Sequence, residues 1–375
     1  MSESRVRIPP ETAAALRPLA EAAQRQGLPL YAVGGCVRDW LLGSKHVVDL
    51  DLVAEGDPAP LARLAGRLAG VKPEAFGEFG TWRVKGRELR VDFAASRQEV
   101  YPEPASLPKV SPAPLERDLF RRDFTINAMA VRLDGDAAGR LVDPYNGRGD
   151  LASGILRVLH PASFRDDPTR VFRAARFLCR FSLRPAPGFG RMVKESLYGC
   201  IAGRLSRHRI AAELLRILSE DDPSCALRRL KSWGYLDLVH PDARARVAGR
   251  GVEERLGFMA LAMGKKGEEF LRSLPVERGL AQRILEALRA ARRKASPRGR
   301  LPPESSRMLA LAFPRLPKTA LQPLFLSGDD LQAAGLEPGP EFRSLLDAAA
   351  KAQWQGRISS RGQALKWLGG RLRRR

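Results

Sequence analysis

Cysteine is scarce in this chain. Cys36, Cys179, Cys200 and Cys225 are the only four in 375 residues, and they form no CxxC and no close ligand spacing. That argues against a cysteine-held metal, and the four read as reduced thiols of a cytoplasmic protein. Histidine is as rare: His46, His160, His208 and His240 make no convincing metal site and read as solvated or core residues. No apolar run approaches bilayer length, and Met1 to Pro10 is charged and Pro-containing rather than signal-like. Neither a membrane span nor a secretory leader is therefore expected. No fixed-period repeat is evident. Charged residues at 28% and hydrophobic ones at 44% leave an ordinary globular composition, long enough for two to four compact units.

Net charge is also missing from the front of the chain. Residues 1–150 hold 21 Lys+Arg against 21 Asp+Glu, while the remainder holds 43 against 21 and so carries the whole +22. A neutral front and a basic rear imply chemistry in one part and polyanion binding in the other. Nucleic acid is the obvious polyanion. A solubilising surface or an anionic membrane are the alternatives, and the membrane version lacks a basic cluster flanking an apolar anchor.

What is present is concentrated early. Gly34-Gly35-Cys36-Val37-Arg38-Asp39 is followed ten residues on by Asp49-Leu50-Asp51. The pattern reads strand (30–33), Gly turn, short helix (37–42), then a second strand (47–53). Glycines let a backbone turn approach an anion, and a helix N-terminus just beyond offers unpaired N–H groups. Asp49 and Asp51 lie two apart on a strand, so both carboxylates point to one side. Paired carboxylates beside a phosphate cradle suit Mg²⁺, and the chemistry implied is two-metal phosphoryl or nucleotidyl transfer.

Elsewhere, residues 11–26 read as an amphipathic helix ended by Gly27 and residues 61–68 as another helix. Two short strands, 81–84 and 89–93, flank a hairpin signal at Lys85-Gly86-Arg87-Glu88. Asp92 on the second is a candidate third carboxylate for the metal, with a structural role the alternative. Residues 101–114, rich in proline, read as a loop over the site. A small mixed α/β domain ends near residue 150. Beyond it the pattern is mostly helical, with breaks around Pro185–Pro187, Pro241, residues 295–303 and Pro314–Pro317.

Three further stretches make the pattern specific: Arg121-Arg122-Asp123-Phe124-Thr125-Ile126-Asn127-Ala128, Asp143-Pro144-Tyr145-Asn146-Gly147-Arg148-Gly149-Asp150, and Asp166-Asp167-Pro168-Thr169-Arg170 running on to Arg173-Ala174-Ala175-Arg176-Phe177. With the Gly34/Asp49 unit, the series resembles the class II (bacterial-type) tRNA nucleotidyltransferase and poly(A) polymerase family, within the polymerase-β-like nucleotidyltransferase superfamily. The likeness continues through Leu205-Ser206-Arg207-His208-Arg209-Ile210, Glu213-Leu214, Gly328-Asp329-Asp330-Leu331 and Gly335-Leu336-Glu337-Pro338-Gly339-Pro340. It implies an α+β protein: a polymerase-β-like mixed-sheet catalytic head (1–150), then an all-helical neck (151–220), body (221–300) and basic tail (301–375). It further implies that Asp49 and Asp51 are catalytic metal ligands, that Gly34, Gly35 and Arg38 hold the triphosphate, and that Arg121, Arg122 and Asp123 line the nucleotide pocket. Many family members have Glu where Asp166 stands here. The phosphohydrolase domain of some relatives is not expected, because the four histidines include no His-Asp pair.

Asp167 and Arg170 are three apart at the start of a predicted helix and are expected to share a face. An Asp accepts from an exocyclic amine and an Arg donates to the neighbouring ring acceptor, an edge that cytosine and adenine share and that uracil and guanine lack. A buried pair of this kind selects CTP or ATP without a nucleic-acid template. Arg173 and Arg176 continue the face, as phosphate contacts or supports. The implied reaction is attack of a tRNA 3′-hydroxyl on the α-phosphate of ATP or CTP with two Mg²⁺ ions, the basic rear gripping tRNA through stretches such as Arg289–Lys294 and Arg371–Arg375. Addition of CCA, of CC, of A alone or of poly(A) is not separated by these residues. A catalytically inactive RNA-binding protein and a transferase acting on a small molecule are the rivals. No protein partner is readable.

Overall fold

The computed structural model describes residues 4–44, 49–76, 80–87 and 90–373. Its contacts divide the chain into two compact units, Met1–Leu205 and Ser206–Arg375. Lys45–Val48, Glu88, Leu89 and the last two arginines of the 371–375 run lie outside the described residues. So do His46 and the first two residues of the second expected strand.

The first unit opens with α1 (Pro10–Arg25), β1 (Leu30–Val33), α2 (Gly35–Leu41), β2 (Asp49–Ala54) and α3 (Ala59–Ala69). Proline stands at the start of α1 and an acidic residue, Glu11, in its first turn, both favourable there. Then come β3 (Glu74–Phe76), β4 (Thr81–Lys85), β5 (Arg90–Ala95), β6 (Arg97–Val100), β7 (Lys109–Pro112), α4 (Leu115–Phe120), β8 (Ala130–Arg132) and β9 (Leu141–Val142). The unit closes with α5 (Gly147–Ala152), α6 (Ser163–Asp166), α7 (Thr169–Arg180) and α8 (Phe189–Tyr198). Among the described residues, seven strands form one sheet in the order β3-β4-β5-β2-β1-β8-β9. Every neighbouring pair is antiparallel except β2 with β5, which run parallel with Asp51 level with Asp92.

The alternation along β2 divides its two faces. Leu50, Leu52 and Ala54 pack with Leu16, Leu19, Leu30, Leu61 and Phe93 into one core. Val53 joins Tyr31, Val33, Leu115, Leu119 and Ala130 on the other face. The period-two pleat therefore sends Asp49 and Asp51 to that second face, where both stay exposed. The 101–114 segment, expected to be a loop, contains β7, which pairs antiparallel with β6. Its prolines are tolerated because this is a two-stranded ribbon, edge on both sides.

The second unit is all helical among the described residues, from Arg207–Leu218 to Arg361–Leu372. Its helices end at Val239, Arg293 and Ala312, just before the expected breaks. Ser206 caps the first of them through Arg209 N–H. The Arg207 guanidinium donates to the carbonyls of Leu238, Val239 and Ser273 at 2.7–2.8 Å, closing two helix C-termini. Near the chain end, Leu326, Leu331, Leu345, Ala349, Ile358 and Leu368 form a core of their own. Cys36 and Cys200 carry free thiols. No described helix is long and apolar enough to cross a membrane.

Candidate active site

The Gly34 turn joins β1 to α2 and has φ +74°, a conformation L side chains rarely adopt. A Cβ there would lie 2.7 Å from Arg122 Nη1, so the turn is closed against that guanidinium. Gly35 is different: its added Cβ would meet Arg38 Nη2 at an ordinary 3.6 Å, and its backbone is helical. Gly34→Ala is therefore expected to destabilise the protein by about 1–2 kcal/mol from backbone strain alone. Gly35→Ala should be neutral or slightly stabilising. Thermal melts of the two variants check this; equal effects would contradict the turn geometry.

Asp49 and Asp51 emerge from β2 beside this turn. Asp49 Oδ1 lies 2.9 Å from Arg90 Nε, an exposed pair. Crowding around Asp51 strips enough water to raise its carboxyl above the usual value; Arg122 opposes this, Asp92 and Asp49 add to it, and Arg90 pulls back. The Cys36 thiol nearby is pushed up to about 12, by burial first and then by the charge of Asp51, so it is no nucleophile. Asp92 sits beside Asp51 in register, but Arg83 holds both its oxygens at 2.7 and 2.6 Å. Among the described residues no group of three or more potential ligands is placed to hold a metal. The exposed carboxylates are the Asp49/Asp51 pair, Asp49 sharing Oδ1 with the exposed Arg90, which is enough for an ion that keeps waters and takes substrate phosphates.

Behind the turn runs a buried polar chain. The Arg38 guanidinium donates to Asp39 Oδ1 at 2.9 Å and Asn127 Oδ1 at 2.6 Å, and stacks 4.4 Å over the Phe181 ring. Asn127 in turn donates to Asp123 Oδ1 at 3.0 Å, which also accepts the Phe124 N–H at 2.9 Å. The other Asp123 oxygen receives Arg173 Nε at 2.7 Å and Nη2 at 2.6 Å. Arg38 is thus 5% exposed and Asp123 7%: both are enclosed in the wall rather than presented to the opening.

Arg121 and Arg122 share one carboxylate. Fully buried Asp118 takes Arg121 Nε and Nη2 on one oxygen and Arg122 Nη2 at 3.0 Å on the other. Burial would raise that carboxyl, but Arg122 and Arg121 outweigh it and hold it below the usual range. Glu99 of β6 receives Arg121 Nη1 at 2.8 Å and the Tyr101 hydroxyl at 3.1 Å. Arg121 is therefore clamped between two carboxylates. Arg122 keeps a buried Nε with no hydrogen-bond partner and faces the Gly34 turn. Asp118, Glu99, Asn127 and Tyr101 were not singled out by sequence. Asp118 alone carried a signal, three and four residues before Arg121 and Arg122 on one helix face.

The third stretch opens α7. Asp167 stands at the helix start with Pro168 (φ −64°, ψ −13°) after it, and the Asp167 carbonyl accepts Arg170 N–H at 3.1 Å, so the two residues are one turn apart at the head of the helix. Asp167 is extended and its Oδ1 caps α7, accepting Thr169 N–H at 2.8 Å and Oγ1 at 2.5 Å. Arg170 is 4% exposed and donates to Ser163 Oγ at 2.7 Å and the Arg121 carbonyl at 2.6 Å. Arg176 stacks 4.5 Å over the Phe177 ring, with Arg173 at 5.7 Å.

Residues 30–157 match the poly A polymerase head domain. An A-adding tRNA nucleotidyltransferase of Halalkalibacterium halodurans is 32% identical over 390 residues, covering 94% of this chain and 91% of that protein. One from Geobacter sulfurreducens is 31% identical over 413 residues; the match takes in 96% of this chain but spans only 47% of that longer relative. A CC-adding tRNA nucleotidyltransferase of Deinococcus radiodurans is 32% identical, covering 88% of this chain and 86% of its own. Among solved structures, an apo form of a CCA-adding enzyme superposes with TM-score 0.72 at 25% identity, covering 97% of this chain and 96% of that one.

Proposed function

Since the chain belongs to the class II tRNA nucleotidyltransferase and poly(A) polymerase family, we propose that it adds C, A or both to the 3′ end of tRNA from CTP and ATP, in the cytoplasm. The observation that carries the reading is the pair of open carboxylates, Asp49 and Asp51, on one sheet face beside the Gly34 turn. They would hold Mg²⁺. Asp51, raised first by desolvation and further by Asp92 and Asp49 against the pull of Arg122, would gain from a cation at that spot. Bound there, Mg²⁺ supplies charge to offset the triphosphate and to acidify the attacking hydroxyl.

The protein's own groups do the rest. The Gly34–Gly35 turn lets phosphate oxygens approach the backbone, and Arg122, with its unspent Nε–H, donates to them. Arg38 and Asp123 brace the turn from behind through Asn127. Arg121 fixes the pocket wall. Asp167 and Arg170 read the base, accepting from its amine and donating to its ring acceptor, with Arg173 and Arg176 as their support. The basic residues of the helical unit, including Arg289, Arg292, Arg293 and Lys294, would grip the RNA backbone in a salt-sensitive, largely sequence-independent way.

The test uses purified protein with Mg²⁺, tRNAs ending before CCA, after CC or after CCA, and each labelled NTP singly. Defined addition of C or A is expected. Label from ATP alone, on the CC-ending tRNA, gives the A-only form that the Geobacter and Halalkalibacterium relatives carry in their names. Unlimited A addition would make it a poly(A) polymerase. No label in any tube would leave an RNA-binding protein and overturn the reading.

A further inference from the structure

We infer that Ser163 is a positioning residue for base selection: its buried hydroxyl holds the Arg170 guanidinium in the one orientation that donates to cytosine or adenine. The inference rests on the reading of Arg170 as a base reader. Ser163 has no exposed surface, and Arg170 Nη1 reaches its Oγ at 2.7 Å. The opposite corner, Nη2, is pinned at 2.6 Å to the Arg121 carbonyl. That carbonyl belongs to a residue whose side chain is held between Asp118 and Glu99.

Two short anchors on two terminal nitrogens, with the Ser163 carbonyl a longer partner of Nη1 at 3.5 Å, fix both the plane and the rotation of a rigid fork. The N–H donors left over have their directions set by the protein rather than by the base. Discrimination depends on that rigidity. A guanidinium free to swing finds the carbonyl oxygens of uracil or guanine, whereas a held one meets their N–H groups and leaves a buried mismatch. Of the two anchors, the Arg121 carbonyl is backbone, so Ser163 Oγ is the one that substitution can remove.

Ser163→Ala is expected to keep folding and RNA retention close to wild type and to lower kcat/KM for the preferred NTP only a few-fold. The preference for that NTP over GTP and UTP should fall roughly tenfold, the size of one charge-assisted hydrogen bond. Ser163→Cys, similar in size but a weak acceptor, should behave like Ser163→Ala; Ser163→Thr, which restores the hydroxyl, should recover selectivity. In an Arg170→Lys background the Ser163→Ala change should alter selectivity no further. Unchanged selectivity in folded Ser163→Ala, or an equal loss in the Arg170→Lys background, would overturn the inference. Wild-type protein that transfers no nucleotide at all would instead overturn the proposed function beneath it.

Discussion

Asp51→Ala is expected to lower nucleotide incorporation by roughly 10³-fold or more, because it removes the more crowded of two carboxylates offered to the metal. Asp49→Ala should be comparably damaging, since neither carboxylate has a described replacement: Asp92 is occupied by Arg83. RNA retention should persist in both variants, as the excess positive charge lies outside residues 1–150. Stability should not fall either. The Asp51 carboxyl is raised in the folded protein, first by desolvation and also by Asp92 and Asp49. Its ionised form therefore weighs against folding above the ordinary carboxylate value, and a neutral Ala removes that penalty. Without Mg²⁺ at neutral pH the variant should melt at or slightly above the wild-type temperature, as often happens where a functional site opposes stability. Single-turnover incorporation beside a thermal melt decides the matter; retained activity with Mg²⁺ would remove Asp51 from the metal site.

Asp123→Ala is expected to act in the opposite sense, destabilising the first unit by about 3–5 kcal/mol, the usual result of deleting one partner of a buried ion pair. Four donors converge on this carboxylate: the Phe124 N–H, the Asn127 amide and two nitrogens of Arg173. Without it, Arg173 loses both of its bonds to that carboxylate and Asn127 loses one of its two ties. Burial alone would raise the Asp123 carboxyl, but Arg173, the Asn127 amide and Arg170 together hold it below the usual range. A depressed folded value means that its stabilising contribution is complete above the unfolded carboxylate value of about 4 and fades as pH falls through the folded one. Wild type should thus lose stability on acidification below about pH 4, and Asp123→Ala should lose less over the same window. Urea unfolding at several pH values reads both effects. Parallel pH curves for the two proteins would show that Asp123 carries no such linkage.

Some of this was legible in the sequence. The order strand, Gly turn, short helix, Asp-x-Asp strand survives in β1, α2 and β2, because glycine at a positive-φ turn and a period-two strand are local signals. The Lys85–Arg87 turn between β4 and β5 was also local. The pairings were not. That Arg83 would take Asp92, or Glu99 reach Arg121, follows from strand neighbours and from the β6–β7 ribbon, and no spacing in the chain announces either. Proline misled once: it hid β7 inside a segment that reads as loop. Arg38 was expected on the triphosphate and Arg121 in the nucleotide pocket, yet both spend donors on side chains inside the protein.

The parallel pairing of β2 with β5 inside the seven-stranded sheet bears on the order of assembly. Strands that run the same way cannot be joined by a tight turn, and here α3, β3 and β4 intervene between them. On its other side β2 meets β1, whose second neighbour β8 arrives from a hundred residues later in the chain. Such distant contacts close slowly relative to hairpins and helices. As the protein emerges from the ribosome, Asp49 and Asp51 are made before β5 and β8, so the face that aligns them waits for residues up to Arg132. A half-finished chain therefore holds the reactive residues without the site.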